Sequence, residues 1–151
     1  MNTKKLKEEL QKVTDICKDG VEGYETAAGN ISHEDIKTLF LRLSQQRKTF
    51  VEEIKVEALR LGIELEDEGT VKGFFHRTWL AAKATFSRET NEKVIEESIS
   101  GEKAAIEVYD EVLGNPEIPA YVKEILNEQQ RLIKVAIQQL FGIKSEVNSS
   151  Y

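Results

Sequence analysis

The sequence predicts an all-α fold: a four-helix bundle with one long crossover that carries a short extra helix. Apolar residues recur at spacings of three and four along four long segments, and nowhere with the alternation of a half-buried strand. Two of the connections are short turns, at Gly29-Asn30 and at "GNPEIP", and short turns make antiparallel neighbours. The middle connection is long, which lets the helices on either side of it run parallel.

The first segment carries Leu6, Leu10, Val13, Ile16/Cys17, Val21, Tyr24 and Ala28 on one face and stops at Gly29-Asn30. Gly20 and Gly23 lie inside it, each costing about 1 kcal/mol relative to alanine, which points to another backbone packed closely against them, with the crossover helix and its Phe74, Phe75 and Trp79 as the candidate. The second segment opens with "SHED", where Ser32 is placed to cap the helix and Asp35 stands three residues on. Its stripe is Ile36, Leu39/Phe40, Leu43, Phe50, Ile54, Ala58 and Leu61, and Gly62 closes it. About 28 residues at 1.5 Å each make a rod of roughly 40 Å.

"IELEDEG" reads as an acidic loop, with Glu66-Asp67-Glu68 solvated. Thr70 caps the expected crossover helix, whose stripe is Val71, Phe74/Phe75, Thr78/Trp79 and Ala82. The next long helix runs from about Arg88 to Leu113 with Ile95, Ile99, Ile106, Tyr109 and Leu113 on one face. Pro119 suits the first turn of the last helix. That helix shows Val122, Ile125, Gln129, Leu132, Ala136 and Leu140; its end is expected at Gly142, with "IKSEVNSSY" frayed beyond it.

Bulk properties set the class. A chain of 151 residues is one domain, here 1–151 with an ordered core of about 3–142. Only two prolines and nine glycines argue against a loop-rich chain. No apolar run approaches the roughly 20 residues that span a bilayer, and no apolar stretch follows the basic "MNTKKLKEEL", so neither a membrane span nor a signal peptide is expected. The single cysteine, Cys17, excludes an intrachain disulfide and fits a reducing cytoplasm. A net charge of −6 gives no general attraction to nucleic acid or to an anionic membrane.

A four-helix bundle with one long crossover is the ferritin-like topology, and such bundles often hold two metal ions between their helices. That site takes a Glu from each of two helices and Glu-x-x-His from each of the other two, because hard carboxylates and imidazoles suit iron or manganese. Glu102 stands three after Ile99 and four before Ile106, where an aliphatic belongs. Glu128 stands three after Ile125 and four before Leu132, and both glutamates are about 13 residues from the turn between their helices. These two are the candidate metal ligands. The expected histidine positions hold Phe50 and Arg131, and the other expected glutamate is Arg47. Charge suggests an alternative: Arg47 and Arg131 occupy the space of two ions and neutralise Glu102 and Glu128 as buried ion pairs.

"DGVEGYETAA", "LSQQRKTFVEEI", "GFFHRTW" and "SGEKAAIEVYDEVL" resemble an uncharacterised bacterial family of ferritin-like four-helix bundles, classed as a domain of unknown function. The resemblance runs from about Leu6 to Leu140, and its more specific features are Gly73, His76, Arg77 and Trp79 with the later Gly101, Glu102 and Tyr109. It implies the fold and a bacterial cytoplasmic origin without assigning an activity. A wider kinship to rubrerythrins and ferritins is implied, whose di-iron ligands match Glu102 and Glu128 alone.

The functional expectation is therefore a ferritin-like bundle with a degenerate di-metal site, working as a non-enzymatic interaction or stress-related scaffold, without a cofactor, and self-associating through helix faces. The alternative is a metal-binding or redox protein using iron, manganese or zinc at Glu102 and Glu128, with His76 or Glu25 added. His76 beside Trp79 reads as a histidine bonded to a neighbouring helix, His33 as a surface residue and Cys17 as a small core filler. No glycine-rich phosphate loop, Gly-x-Ser-x-Gly elbow or Cys-x-x-Cys is present.

Overall fold

Asn2 starts the first helix: its side-chain oxygen accepts the amides of Lys4 at 2.8 Å and Lys5 at 3.4 Å, two of the donors a helix start leaves without partners. In the computed structural model, residues 2–66 and 90–149 are described. They form four helices, α1 (Thr3–Gly29), α2 (Glu34–Arg60), α3 (Asn91–Leu113) and α4 (Ala120–Ser149), with no strand among the described residues. The expected crossover helix, with Thr70, Phe74, Phe75, His76 and Trp79, lies outside the described residues, as do Asp67 and Glu68.

Three boundaries differ from the sequence reading. The N-cap of α2 is His33, not Ser32. Ser32 turns instead to α3, where its hydroxyl accepts the Asn91 side-chain amide at 3.1 Å, so a contact between helices displaces a local cap. Helix α3 begins at Asn91, with the Thr90 hydroxyl accepting the Lys93 amide at 3.3 Å. Helix α4 passes through Gly142 and reaches Ser149. Ile143 and Val147 continue the apolar stripe against the core, and Lys144 pairs with Glu96 of α3 at 3.2 Å; these contacts outweigh one weak helix former. Gly62 does close α2, in the left-handed conformation (φ 75°) that costs glycine nothing.

Helix α1 packs on α2 and α3, and α4 packs on α2 and α3, so α1 faces α4 across one diagonal and α2 faces α3 across the other. Packed neighbours are antiparallel. Ser44 of α2 meets Val21 of α1, and Lys12 of α1 meets Glu111 of α3 at 2.8 Å. The diagonal pair α2 and α3 is parallel, since Ser32 beside Asn91 and Arg47 beside Glu102 advance together. Helix α2 therefore ends, and α3 begins, at opposite ends of the bundle. Just after α2, the Glu66 amide donates to Gln11 at 2.8 Å and the Glu66 carboxylate pairs with Lys7 at 2.9 Å, which ties this segment to α1.

The core is continuous. Leu10, Val13, Phe40, Val94, Ile95, Val112, Leu126, Ile133 and Leu140 are wholly enclosed. Each aliphatic of this size contributes about 1.5–3 kcal/mol when fully buried. No described helix is long and apolar enough to cross a membrane.

Candidate functional site

At mid-height the aliphatic core gives way to polar side chains. Leu43 and Phe50 flank Arg47 on α2 at minus four and plus three and are buried, so Arg47 must point inward as well. Ile99 and Ala105 do the same for Glu102 on α3. Both charged groups are enclosed, with side chains 1% and 0% exposed. Arg47 meets Glu102 as a fork on a fork: Nη1 donates to Oε1, and Nη2 donates to Oε2 at 2.5 Å. Two parallel charge-assisted bonds are the strongest pairing open to these groups.

The surroundings of the guanidinium are built to receive it. Its carbon lies 5.7 Å from the ring centres of both Tyr24 and Phe50, within cation–π range. Gly20 lies against it: a β-carbon built there would sit 3.5 Å from Arg47 Cγ and Nη1, an ordinary van der Waals contact. Beside Gly20 stands a side chain of α2, not the approaching backbone that a glycine there suggests. Burial alone would lower the Arg47 pKa, but the Glu102 charge and hydrogen bonds raise it above its ordinary value, so the guanidinium stays protonated.

A second set of polar groups lies alongside. The Cys17 sulfur is 3.1 Å from the Tyr109 hydroxyl, which donates to Gln129 Oε1 at 2.7 Å. Tyr109 has one proton and gives it to Gln129, so the thiol is the donor to Tyr109. The Gln129 amide then donates to the Phe50 carbonyl at 3.3 Å and to Glu53 at 3.0 Å. This chain joins all four helices. Burial pushes the Cys17 thiol up to about 11, against a smaller lowering by Tyr109. Burial also holds both tyrosine phenols well above their ordinary range, and Glu102 adds to the rise at Tyr24. All three groups are neutral at pH 7, so Cys17 has little of the thiolate that redox or nucleophilic chemistry needs.

Two of the sequence candidates lie elsewhere. Glu128 and Arg131 stand on the outer surface of α4, 57% and 60% exposed, and pair with each other at 2.6 Å. Their mutual hydrogen bond lowers the Glu128 pKa and raises that of Arg131. The buried line of α4 is Val122, Leu126, Gln129, Ile133, Ala136 and Leu140, whereas Ile125 and Leu132, taken as its markers, lie at its edge. Glu128 therefore faces away from Glu102, and the polar residue at that level of the core is Gln129. Glu25 is also at the surface, paired with Lys48 at 3.2 Å. His76 lies outside the described residues.

These side chains do not assemble the donor set of a di-metal centre. Both oxygens of Glu102 accept from Arg47, and its expected partner glutamate faces solvent. Among the described residues, no three His, Cys, Asp or Glu side chains converge as metal ligands would. The sequence spacing puts Tyr24, Cys17, Tyr109 and Gln129 on the inner stripes but does not link them to one another. The available signal was a glutamine in an otherwise aliphatic row, level with a tyrosine on the facing helix.

Among curated proteins and among solved structures, none matches the chain. One family model does match, over residues 5–115, which takes in α1, α2 and α3 and with them Arg47, Glu102, Tyr109 and Cys17, though not Gln129. The chain belongs to the family described as a domain of unknown function (DUF2383).

Proposed function

We propose that the protein is a ferritin-like bundle in which an arginine–glutamate pair stands where a metal centre would, and that it works as a non-enzymatic interaction scaffold. The observation that carries this reading is the fork of Arg47 on Glu102, buried at the centre of the bundle and flanked by Tyr24 and Phe50. A guanidinium that takes both oxygens of a carboxylate fills the side from which an ion would be chelated and supplies the positive charge that an ion would bring. The nearby nucleophiles, Cys17 and Tyr109, are neutral and enclosed, which supports a structural role for the core. A bacterial cytoplasmic setting, a stress-related role and self-association through helix faces belong to the same proposal; the resemblance of the quoted motifs supports the first.

Elemental analysis tests it. Protein purified without chelator and then incubated with iron, manganese and zinc is expected to retain well under one ion per chain, and Glu102→Gln is expected to retain no less than wild type. Stoichiometric metal that is lost in Glu102→Gln would overturn the proposal and favour a metal-binding or redox role.

A further inference from the structure

Helices α2 and α4 make the least extensive of the four helix contacts, and a groove opens between them. Its deeper part, about 460 Å³, has a floor of Phe50, Ile125 and Leu132. A shallower part of about 360 Å³ continues past Ile125 to Val56, which is 46% exposed. Along α2 the two span Gln46 to Glu57, a rise of about 16 Å or three helical turns.

The rim has one sign of charge. Glu53, Glu124 and Glu128 line the deeper part, and Glu52 and Glu57 the shallower. Two of these carry partners, Glu57 with Arg60 at 2.8 Å and Glu128 with Arg131 at 2.6 Å, and Glu53 accepts from Gln129. Glu52 and Glu124 make no ion pair among the described residues. Five carboxylates against two guanidiniums leave the face at −3, on a chain of net charge −6. A second copy would set like charge against like. An anionic partner would be repelled from the rim, and an uncharged one would leave it unanswered.

We infer that this groove docks a basic amphipathic helix of a partner protein, with aliphatic side chains on Phe50, Ile125 and Leu132 and lysines or arginines against Glu52, Glu53 and Glu124. A three-turn contact buries far less than the roughly 1,600 Å² of a standard interface, so the complex is weak and salt-sensitive. The inference deepens the scaffold reading above and rests on it.

The probe is a labelled helical peptide of about 16 residues, some 24 Å long, with two leucines four apart on one face and lysines flanking them. It is titrated by fluorescence anisotropy against the full chain. Saturable binding is expected, weakened at least tenfold in Glu52→Lys/Glu124→Lys, whose sites are exposed and outside the core. Replacing the peptide leucines by serine is expected to abolish binding, and 0.5 M salt to weaken it. Equal binding by the serine peptide, equal binding to the charge variant, or no binding at all would overturn the inference. So would light scattering that shows a dimer broken by Ile125→Glu, which would assign the face to a second copy. A failed titration leaves the metal analysis untouched, and stoichiometric metal leaves the titration untouched, so the two readings fail separately.

Discussion

Removing one member of the central pair is expected to cost far more than removing both. In Arg47→Met the aliphatic stem stays between Tyr24 and Phe50, but Glu102, fully enclosed, loses the two guanidinium donors that reach its oxygens. A buried charge stripped of its partner costs about 3–5 kcal/mol. Glu102→Leu strands the guanidinium in the same way. For a domain of this size about 1 kcal/mol shifts Tm by roughly 2–4 °C, so each single variant is expected to melt about 6–20 °C below wild type. The double variant Arg47→Met/Glu102→Leu buries apolar groups of similar volume and is expected within about 2 kcal/mol of wild type, or above it, because the desolvation of two ions is no longer required. Urea unfolding followed by circular dichroism, with the four proteins as a double-mutant cycle, measures the coupling directly. Single variants within about 1 kcal/mol of wild type, or a double variant as unstable as the two losses added, would refute the reasoning.

The remaining expectations concern pH and one glycine. Native Cys17 holds its proton to about pH 11, against an ordinary value of 9.0, so between those values the folded chain binds a proton that the unfolded chain has released. Stability is therefore expected to be full below pH 9 and to fall as pH rises towards 11, by about 3 kcal/mol at most from this thiol; urea midpoints across that range should fall less steeply in Cys17→Ala, and an identical slope would count against the enclosed thiol. Gly142 lies within α4, and a β-carbon there would meet nothing within 4 Å, so Gly142→Ala is expected to raise stability by about 0.5–1 kcal/mol in the same assay, whereas no gain would show that the helix is frayed at that point.

Much of the architecture is legible in the residues. Four stripes at helical spacing locate the helices, and a long middle connection separates the two antiparallel pairs. Half of the central site is legible for the same reason: Arg47 and Glu102 are bracketed by side chains that are themselves buried, so the bracket transmits burial to the residue inside it. Glu128 is bracketed by Ile125 and Leu132, each followed by another aliphatic, Leu126 and Ile133. With two adjacent apolar rows the inward direction is ambiguous by one residue, about 100° of helix rotation, and only packing against the other three helices selects the later row. The Ser32 cap and the Gly142 stop failed on another account. Local preferences worth about 1 kcal/mol yielded to contacts with α3 that no local window contains.

The diagonal placement of α2 and α3 has a mechanical outcome. These two helices share no direct backbone packing, and Arg47 with Glu102 is the bidentate clasp that reaches across the axis between the hairpins. Aliphatic rows are forgiving lengthwise: slide one hairpin by a turn, about 5.4 Å, and methyls still meet methyls. The fork cannot follow, because the same displacement draws both nitrogens out of reach of both oxygens and strands two ions in the interior. The clasp, with the Cys17–Tyr109–Gln129 chain beside it, thus sets the longitudinal alignment of the two halves, a choice that the aliphatic rows alone leave open.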